Sequence, residues 1–138
     1  MSKKIAVLIT DEFEDSEFTS PAAEFRQAGH EVITIEKEAG KTVKGKKGEA
    51  SVTIDKAIDD VRPDEFDALL LPGGHSPDYL RGDSRFVDFT RDFVIDVKNA
   101  GAEFYDQEVV VDKDQLVTSR TPDDLPAFNR EALRLLGA

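Results

Sequence analysis

Continuous apolar runs alternate along the chain with amphipathic stretches of helical period. Ile5 to Thr10 is short, apolar and rich in branched residues, the pattern of a strand buried on both faces of a parallel sheet. An acidic turn follows, Asp11-Glu12-Phe13-Glu14-Asp15-Ser16-Glu17. Ser20-Pro21 then predicts a helix start, with Ser20 as N-cap and Pro21 at the first helical position. That helix runs from Ala22 to about Ala28, where Gly29 stops it. His30 to Ile35 alternates and carries Val and Ile, so it reads as a second strand. Strand, helix and strand within about 30 residues make a βαβ unit, which is expected to cross over right-handedly.

Gly40 to Asp55 has a different texture. Lys41, Lys44, Lys46 and Lys47 surround Gly45 and Gly48, ahead of Val52-Thr53-Ile54. This predicts an exposed hairpin whose lysines act as solvated gatekeepers of an edge, a ligand patch being the alternative. Ala57 to Val61 is a short helix or turn before Pro63. Phe66 to Leu71 reads as another buried strand, ending in Pro72-Gly73-Gly74. From Arg85 to Val94, Phe86, Phe89 and Phe93 recur at helical spacing and mark one face for the core. Ile95-Asp96-Val97 follows with no turn residue, although a change from helix to strand normally carries Gly, Asn or Pro. Asn99-Ala100-Gly101 predicts a turn, and Glu103 to Tyr105 and Val109 to Val111 predict strands. Lys113-Asp114 is a turn into Leu116-Val117-Thr118-Ser119, completing a hairpin. A last helix starts near Pro126 behind Asp123 and Asp124, with Leu125, Phe128, Ala132, Leu133 and Leu136 as its buried stripe. The expected fold class is α/β, in one domain over residues 1–138.

Charge narrows the partners. The chain has 18 basic and 29 acidic residues, a net charge of −11. Such a domain repels phosphate backbones, so strong non-specific nucleic-acid binding is not expected, nor is adsorption to anionic lipid. No apolar run approaches the ~18 residues of a membrane span. The first ten residues lack a signal-peptide pattern, which predicts a cytoplasmic protein. There is no cysteine. Disulfides, thiolate metal sites, iron–sulfur clusters and a cysteine nucleophile are therefore excluded on this chain. His30 and His75 are the two imidazoles, too few and too far apart to suggest a metal site, and no cofactor is expected.

Two constellations could carry chemistry. Glu12, Glu14, Asp15 and Glu17 follow the first strand, at the edge where open α/β sheets bind ligands. A partly buried glutamate there would have a raised pKa and could relay a proton. The alternative is a solvated acidic loop that charges a helix N-terminus. The second is Leu71-Pro72-Gly73-Gly74-His75-Ser76-Pro77-Asp78. Gly73 and Gly74 allow a sharp turn with N–H groups able to meet an oxyanion or carboxylate, or they make only a turn. Asp78 lies three residues from His75, within reach to orient its imidazole, although a loop histidine is commonly just exposed. A phospho-accepting receiver would need an Asp where Leu71-Pro72 stands. A dinucleotide site would need a glycine-rich turn where the acidic one stands, and the same acid argues against a phosphate binder at Gly73-Gly74. No Gly-x-Ser-x-Gly elbow is present.

Ile5 through Glu17, Ser20-Pro21, Leu71 through Arg81, and Val117-Thr118-Ser119-Arg120-Thr121-Pro122-Asp123-Asp124-Leu125 together resemble the PfpI superfamily of class I glutamine amidotransferase-like proteins. The resemblance covers the whole chain in order. It implies a flavodoxin-like three-layer sandwich with a mainly parallel sheet, assembled as a homodimer or hexamer. It also implies a cysteine-dependent, stress-protective hydrolase of the deglycase lineage. Its substrates would be methylglyoxal or glyoxal adducts on proteins or nucleotides, with glyoxalase-like or peptidase-like activity alongside. By position, Glu17 matches the glutamate that hydrogen-bonds the nucleophilic thiolate. Gly73 and Gly74 match the oxyanion side, and Asp78 matches an acid that approaches the catalytic histidine across a subunit interface.

The departure is equally specific. The family places a strand and a sharp Ala-Ile-Cys-His-Gly-Pro elbow after the helix that ends near Val94. Here Val94 joins Ile95 directly, and about 34 residues of strand, elbow, helix and strand have no counterpart. Either the chain is deleted at this point or the sequence omits a stretch of a longer one. Loss of a central strand would force the sheet to close up or to pair with another chain. Without the cysteine the expectation is a catalytically inactive member of the lineage. The alternative is a non-catalytic, chaperone-like or oligomeric binding protein on the same scaffold.

Overall fold

The computed structural model describes residues 2–99 and 116–117. Five parallel strands form the central sheet: β1 (Lys4–Leu8), β2 (Glu31–Glu36), β5 (Lys56–Ala57), β6 (Ala68–Leu70) and β7 (Leu116–Val117). Their order is β5-β2-β1-β6-β7. A separate antiparallel pair, β3 (Thr42–Lys44) and β4 (Ser51–Thr53), is the hairpin expected between Gly40 and Asp55. Three α-helices lie among the described residues: α1 (Asp15–Gln27), α2 (Ser76–Arg81) and α3 (Ser84–Asn99).

Alternation along β1 explains the layering. Ile5, Val7 and Ile9 pack with Phe18, Ala22 and Phe25 of α1 and with Val43 and Val52 of the hairpin. Ala6 and Leu8 point the other way, onto Leu80 of α2 and Phe86, Phe89 and Phe93 of α3. Successive side chains of a strand face opposite sides, so a strand with apolar residues at every position must be covered twice. The result is the expected flavodoxin-like sandwich, with α1 on one face and α2 and α3 on the other.

Local signals misplace several boundaries. Helix α1 begins at Asp15, five residues before the expected Ser20-Pro21 start, and Pro21 lies inside it. Proline contributes no N–H to the helical ladder. The early start is carried instead by Asp15 and Glu17 in the first turn, where carboxylates complement the positive helix end. Residues Ile95-Asp96-Val97 continue α3 rather than beginning a strand, so the backbone is helical on both sides of Val94–Ile95. Strand β7 pairs in parallel with β6, Leu69 opposite Leu116 and Leu70 opposite Val117. Strand β7 is thus the neighbour of β6 on the side away from β1. The expected strands at 103–105 and 109–111, the turn at 113–114 and the last helix lie outside the described residues. Among the described residues no helix is long and apolar enough to cross a membrane.

One buried imidazole ties the N-terminus to β2. His30 is 5% exposed, and its Nδ1 accepts the Lys3 N–H at 3.1 Å. Its Nε2 is buried without a hydrogen-bond partner among the described residues. Burial, with the positive N-terminus and Lys3 nearby and against the opposing pull of Asp67, holds its pKa below the usual histidine value. A depressed basic pKa means that the unfolded chain binds the proton more readily, so this contribution is complete above about pH 6.5 and fades as pH falls. His30→Asn keeps an acceptor without the titration. Urea midpoints measured from about pH 7.5 to 5.5 should fall less steeply for the variant than for the parent.

Candidate functional site

Strands β1 and β6 are neighbours, but the chain leaves them in opposite directions. From β1 it crosses by α1 to β2, and from β6 it crosses by α3 to β7 on the other side. The crevice beyond their carboxyl ends is the switch point where open α/β sheets place ligands. Three segments meet there: the acidic turn 11–17, the hairpin loop 44–50 and the turn 71–75.

The first and third segments are joined along their backbones. Glu14 N–H donates to the Gly73 carbonyl at 2.9 Å, and His75 N–H donates to the Glu12 carbonyl at 2.9 Å. This close pairing of Phe13 with Gly74 needs glycine. Gly74 has φ +84°, and a Cβ there would lie 2.7 Å from both the Glu12 carbonyl oxygen and the Glu14 nitrogen. Glu17, buried on the first turn of α1, accepts the Gly73 N–H on Oε1 at 3.0 Å. A Cβ on Gly73 would come within 2.7 Å of that same oxygen. Ser76 Oγ accepts the Thr10 N–H at 2.9 Å, a further tie between the segments.

The hairpin is held by two buried acids. Asp15 is 2% exposed and accepts three backbone N–H groups, from Lys47 at 2.9 Å on Oδ1 and from Glu49 at 3.1 Å and Ala50 at 2.9 Å on Oδ2. Glu14 pairs with Lys46 at 2.6 Å and Lys47 at 3.1 Å. Lys41 pairs with buried Glu36. These three lysines are therefore partners of buried carboxylates rather than solvated gatekeepers. The upward pKa shift expected of a partly buried glutamate is reversed for Glu14, and Asp15 is lowered as well. Lys46 above all, with Lys47, holds Glu14 below the usual carboxylate range against its burial. Burial raises Asp15, but the donors from Lys47, Ala50 and Glu49 outweigh it and hold it low.

The structure brings Glu17, Gly73 and Gly74 together, while His75 and Asp78 take other roles. His75 precedes helix α2, which the sequence presented only as a loop, and its side chain is exposed. Asp78 lies on α2 and pairs with Arg81. Sequence reasoning missed Tyr79, whose hydroxyl donates to Glu12 Oε2 and whose pKa that carboxylate raises. Only the Tyr-Leu-Arg end of the Ser76–Arg81 stretch, too short to show a helical period, could have pointed to it. Of the two turn amides, Gly73 N–H is occupied by Glu17. Gly74 N–H donates to no group among the described residues and remains available to a ligand. Among those residues no cluster of three or more His, Asp or Glu could hold a metal ion.

Comparison with known proteins follows the same lines. The profile of the DJ-1/PfpI family matches residues 3–96 and 94–135, two stretches that meet at the Val94–Ile95 junction. Protein/nucleic acid deglycase 2 of Escherichia coli is 75% identical over 172 positions covering 100% of both chains. Those 172 positions exceed the 138 residues here by 34. General stress protein 18 of Bacillus subtilis is 53% identical over 170 positions, covering 99% of each chain. Among solved structures, a two-domain protein of Anabaena variabilis with DJ-1/ThiJ/PfpI-like and ferritin-like domains superimposes with a TM-score of 0.82 at 31% identity. That match covers 98% of this chain and 48% of the other.

Asp15→Asn places an amide N–H₂ against donors that need an acceptor. The loss of a buried, charge-assisted set should destabilise the protein by about 2–3 kcal/mol near neutral pH. Because the folded pKa is depressed, the difference should shrink as pH falls below about 3.9. Urea denaturation gives the first number. Amide exchange at Lys47, Glu49 and Ala50 should accelerate in the same variant.

Proposed function

The chain belongs to the DJ-1/PfpI family, and from that premise we propose that it is a deglycase-lineage scaffold that performs no thiol chemistry. One observation carries the reading. Glu17 is buried at the switch point against the Gly73 amide at 3.0 Å, beside the available Gly74 amide, while the sequence contains no cysteine. In the lineage a thiolate is the nucleophile, and a carboxylate and backbone N–H groups assist it. Here the assisting groups stand without the group they would assist. Glycated proteins or small aldehyde adducts are the ligands this reading assigns, and a homodimer or hexamer is the assembly. Asp78, exposed on α2, would be the side chain offered to a neighbouring subunit.

Incubation with methylglyoxal, or with a glycated thiol adduct, is the direct test. Loss of substrate should match the buffer blank, and Glu17→Ala should leave that result unchanged. Substantial turnover by the 138-residue chain, abolished by Glu17→Ala, overturns the reading.

A second reading, a non-catalytic client-binding protein, is favoured by a groove of about 600 Å³ between α2 and α3. Leu8, Leu71, Pro77, Leu80, Phe86 and Val87 line it, and Val87 is 42% exposed. If this reading holds, the protein should suppress aggregation of a heated client at equimolar ratio, and Glu17→Ala should suppress it equally. Absence of protection removes it.

A further inference from the structure

On the hairpin side of the crevice, its own segments enclose a cavity of about 550 Å³, lined by Thr10, Asp11, Glu12, Lys44, Gly45, Lys46 and Tyr79. Neither Glu17 nor the Gly73–Gly74 turn lines it. Its walls are preformed. Glu12 forms part of the lining in a left-handed backbone conformation, φ 62°, which a non-glycine residue rarely adopts. Its N–H donates to the Lys44 carbonyl at 2.7 Å on the hairpin side, and its carbonyl accepts the His75 N–H at the start of α2. Strain of this kind persists only where the surroundings over-determine it, and it collects at ligand clamps.

The side chains around the cavity divide into committed and uncommitted groups. Lys46 is committed to buried Glu14. Asp11 Oδ1 accepts the Lys44 N–H at 3.0 Å, which leaves its Oδ2. Glu12 Oε2 accepts the Tyr79 hydroxyl, which leaves its Oε1. The Lys44 ammonium has no carboxylate partner among the described residues, in a chain whose net charge is −11. Tyr79 is 55% exposed and offers its ring at the same opening.

We infer that this cavity binds a small zwitterion of the free amino acid class. Its carboxylate would lie on Lys44, its ammonium between Asp11 Oδ2 and Glu12 Oε1, and its side chain against the Tyr79 ring. Ligands with a single sign of charge fit worse. An anion meets Asp11 and Glu12 beside its Lys44 contact, and a cation meets Lys44 and Lys46. A ligand carrying both charges satisfies both sets, and an ammonium near an exposed ring gains further attraction. Contacts this exposed are screened and individually weak, so millimolar affinity is expected.

The test uses three probes of nearly equal size on the full chain: L-glutamine, N-acetyl-L-glutamine without the ammonium, and L-glutaminamide without the carboxylate. Backbone amide chemical shifts report binding. L-Glutamine should give saturable shifts at Asp11, Glu12 and Lys44 to Lys46, and each analogue should bind about tenfold more weakly. Lys44→Met should weaken L-glutamine about tenfold while leaving L-glutaminamide unchanged. The double variant Asp11→Asn with Glu12→Gln keeps both hydrogen-bond acceptors, and therefore the fold. It should weaken L-glutamine while leaving N-acetyl-L-glutamine bound as before or more tightly. The inference is overturned by absence of saturable shifts up to about 50 mM, by shifts centred away from these residues, or by equal binding of the three probes.

Discussion

Asp15 accepts three N–H groups from one loop, and much of the upper edge of the molecule depends on that carboxylate. Among the described residues the β3–β4 hairpin belongs to no larger sheet, and two-stranded hairpins are marginal by themselves in water. Its apolar side, Val43 and Val52, reaches the core beneath α1, but its loop is polar, glycine-containing and lysine-rich. The loop is fixed because its backbone donors find a buried anion on the first turn of α1. Gly45 is part of the same arrangement, since a Cβ there would overlap the Asp15 carboxylate. Glu14 adds charge to the clamp through Lys46 and Lys47. Burying two acids side by side is tolerable only because each is met by donors at once. The hairpin therefore secures the acidic turn as much as the turn secures the hairpin.

The ordering extends into the crevice. With Glu14 and Asp15 fixed, α1 can start at Asp15 and point Glu17 at the Gly73 amide. The turn after β6 then approaches the turn after β1 at backbone contact distance, which only Gly74 permits at that φ. Site, hairpin and helix start are consequently one construction. Disturbing any of them reaches the others through main-chain bonds rather than through flexible side chains.

The parts of this construction that could be read from sequence follow one physical rule. Elements whose burial is written in their own periodicity were legible: β1 and β6 as two-faced apolar strands, β2 by its alternation, α3 by Phe86, Phe89 and Phe93. The hairpin was legible from its glycines. Features set by partners distant in sequence were not. Ser20-Pro21 has the local form of a helix start, and the true start depends on Asp15 meeting amides more than thirty positions away. Lys46 and Lys47 looked solvated because Glu14, their partner, lies on another element, and Lys41 because its partner Glu36 lies on β2. A glutamate was expected to shift upward because burial is foreseeable from an edge position, whereas the lysines that reverse the shift at Glu14 come from the hairpin. Helix α2 spans only Ser76–Arg81, too short for a period to emerge. Glu17, Gly73 and Gly74 were found together because they flank strands whose positions were legible.

The junction at Val94–Ile95 acts on a different part of the molecule from the one that builds the crevice. The residues that close the crevice are at positions 10–17, 44–50 and 71–79, all before the junction. Their hydrogen bonds tie the three segments to one another. On the far side of β6, β7 supplies the next strand, so the edge of β6 away from β1 is still paired. The crevice is therefore shaped by residues that all precede the junction. Shape and reactivity are separable here for a physical reason. The acid and amide groups are positioned by local main-chain contacts across the β1–β6 switch point, whereas a nucleophile would have to arrive on a strand of its own.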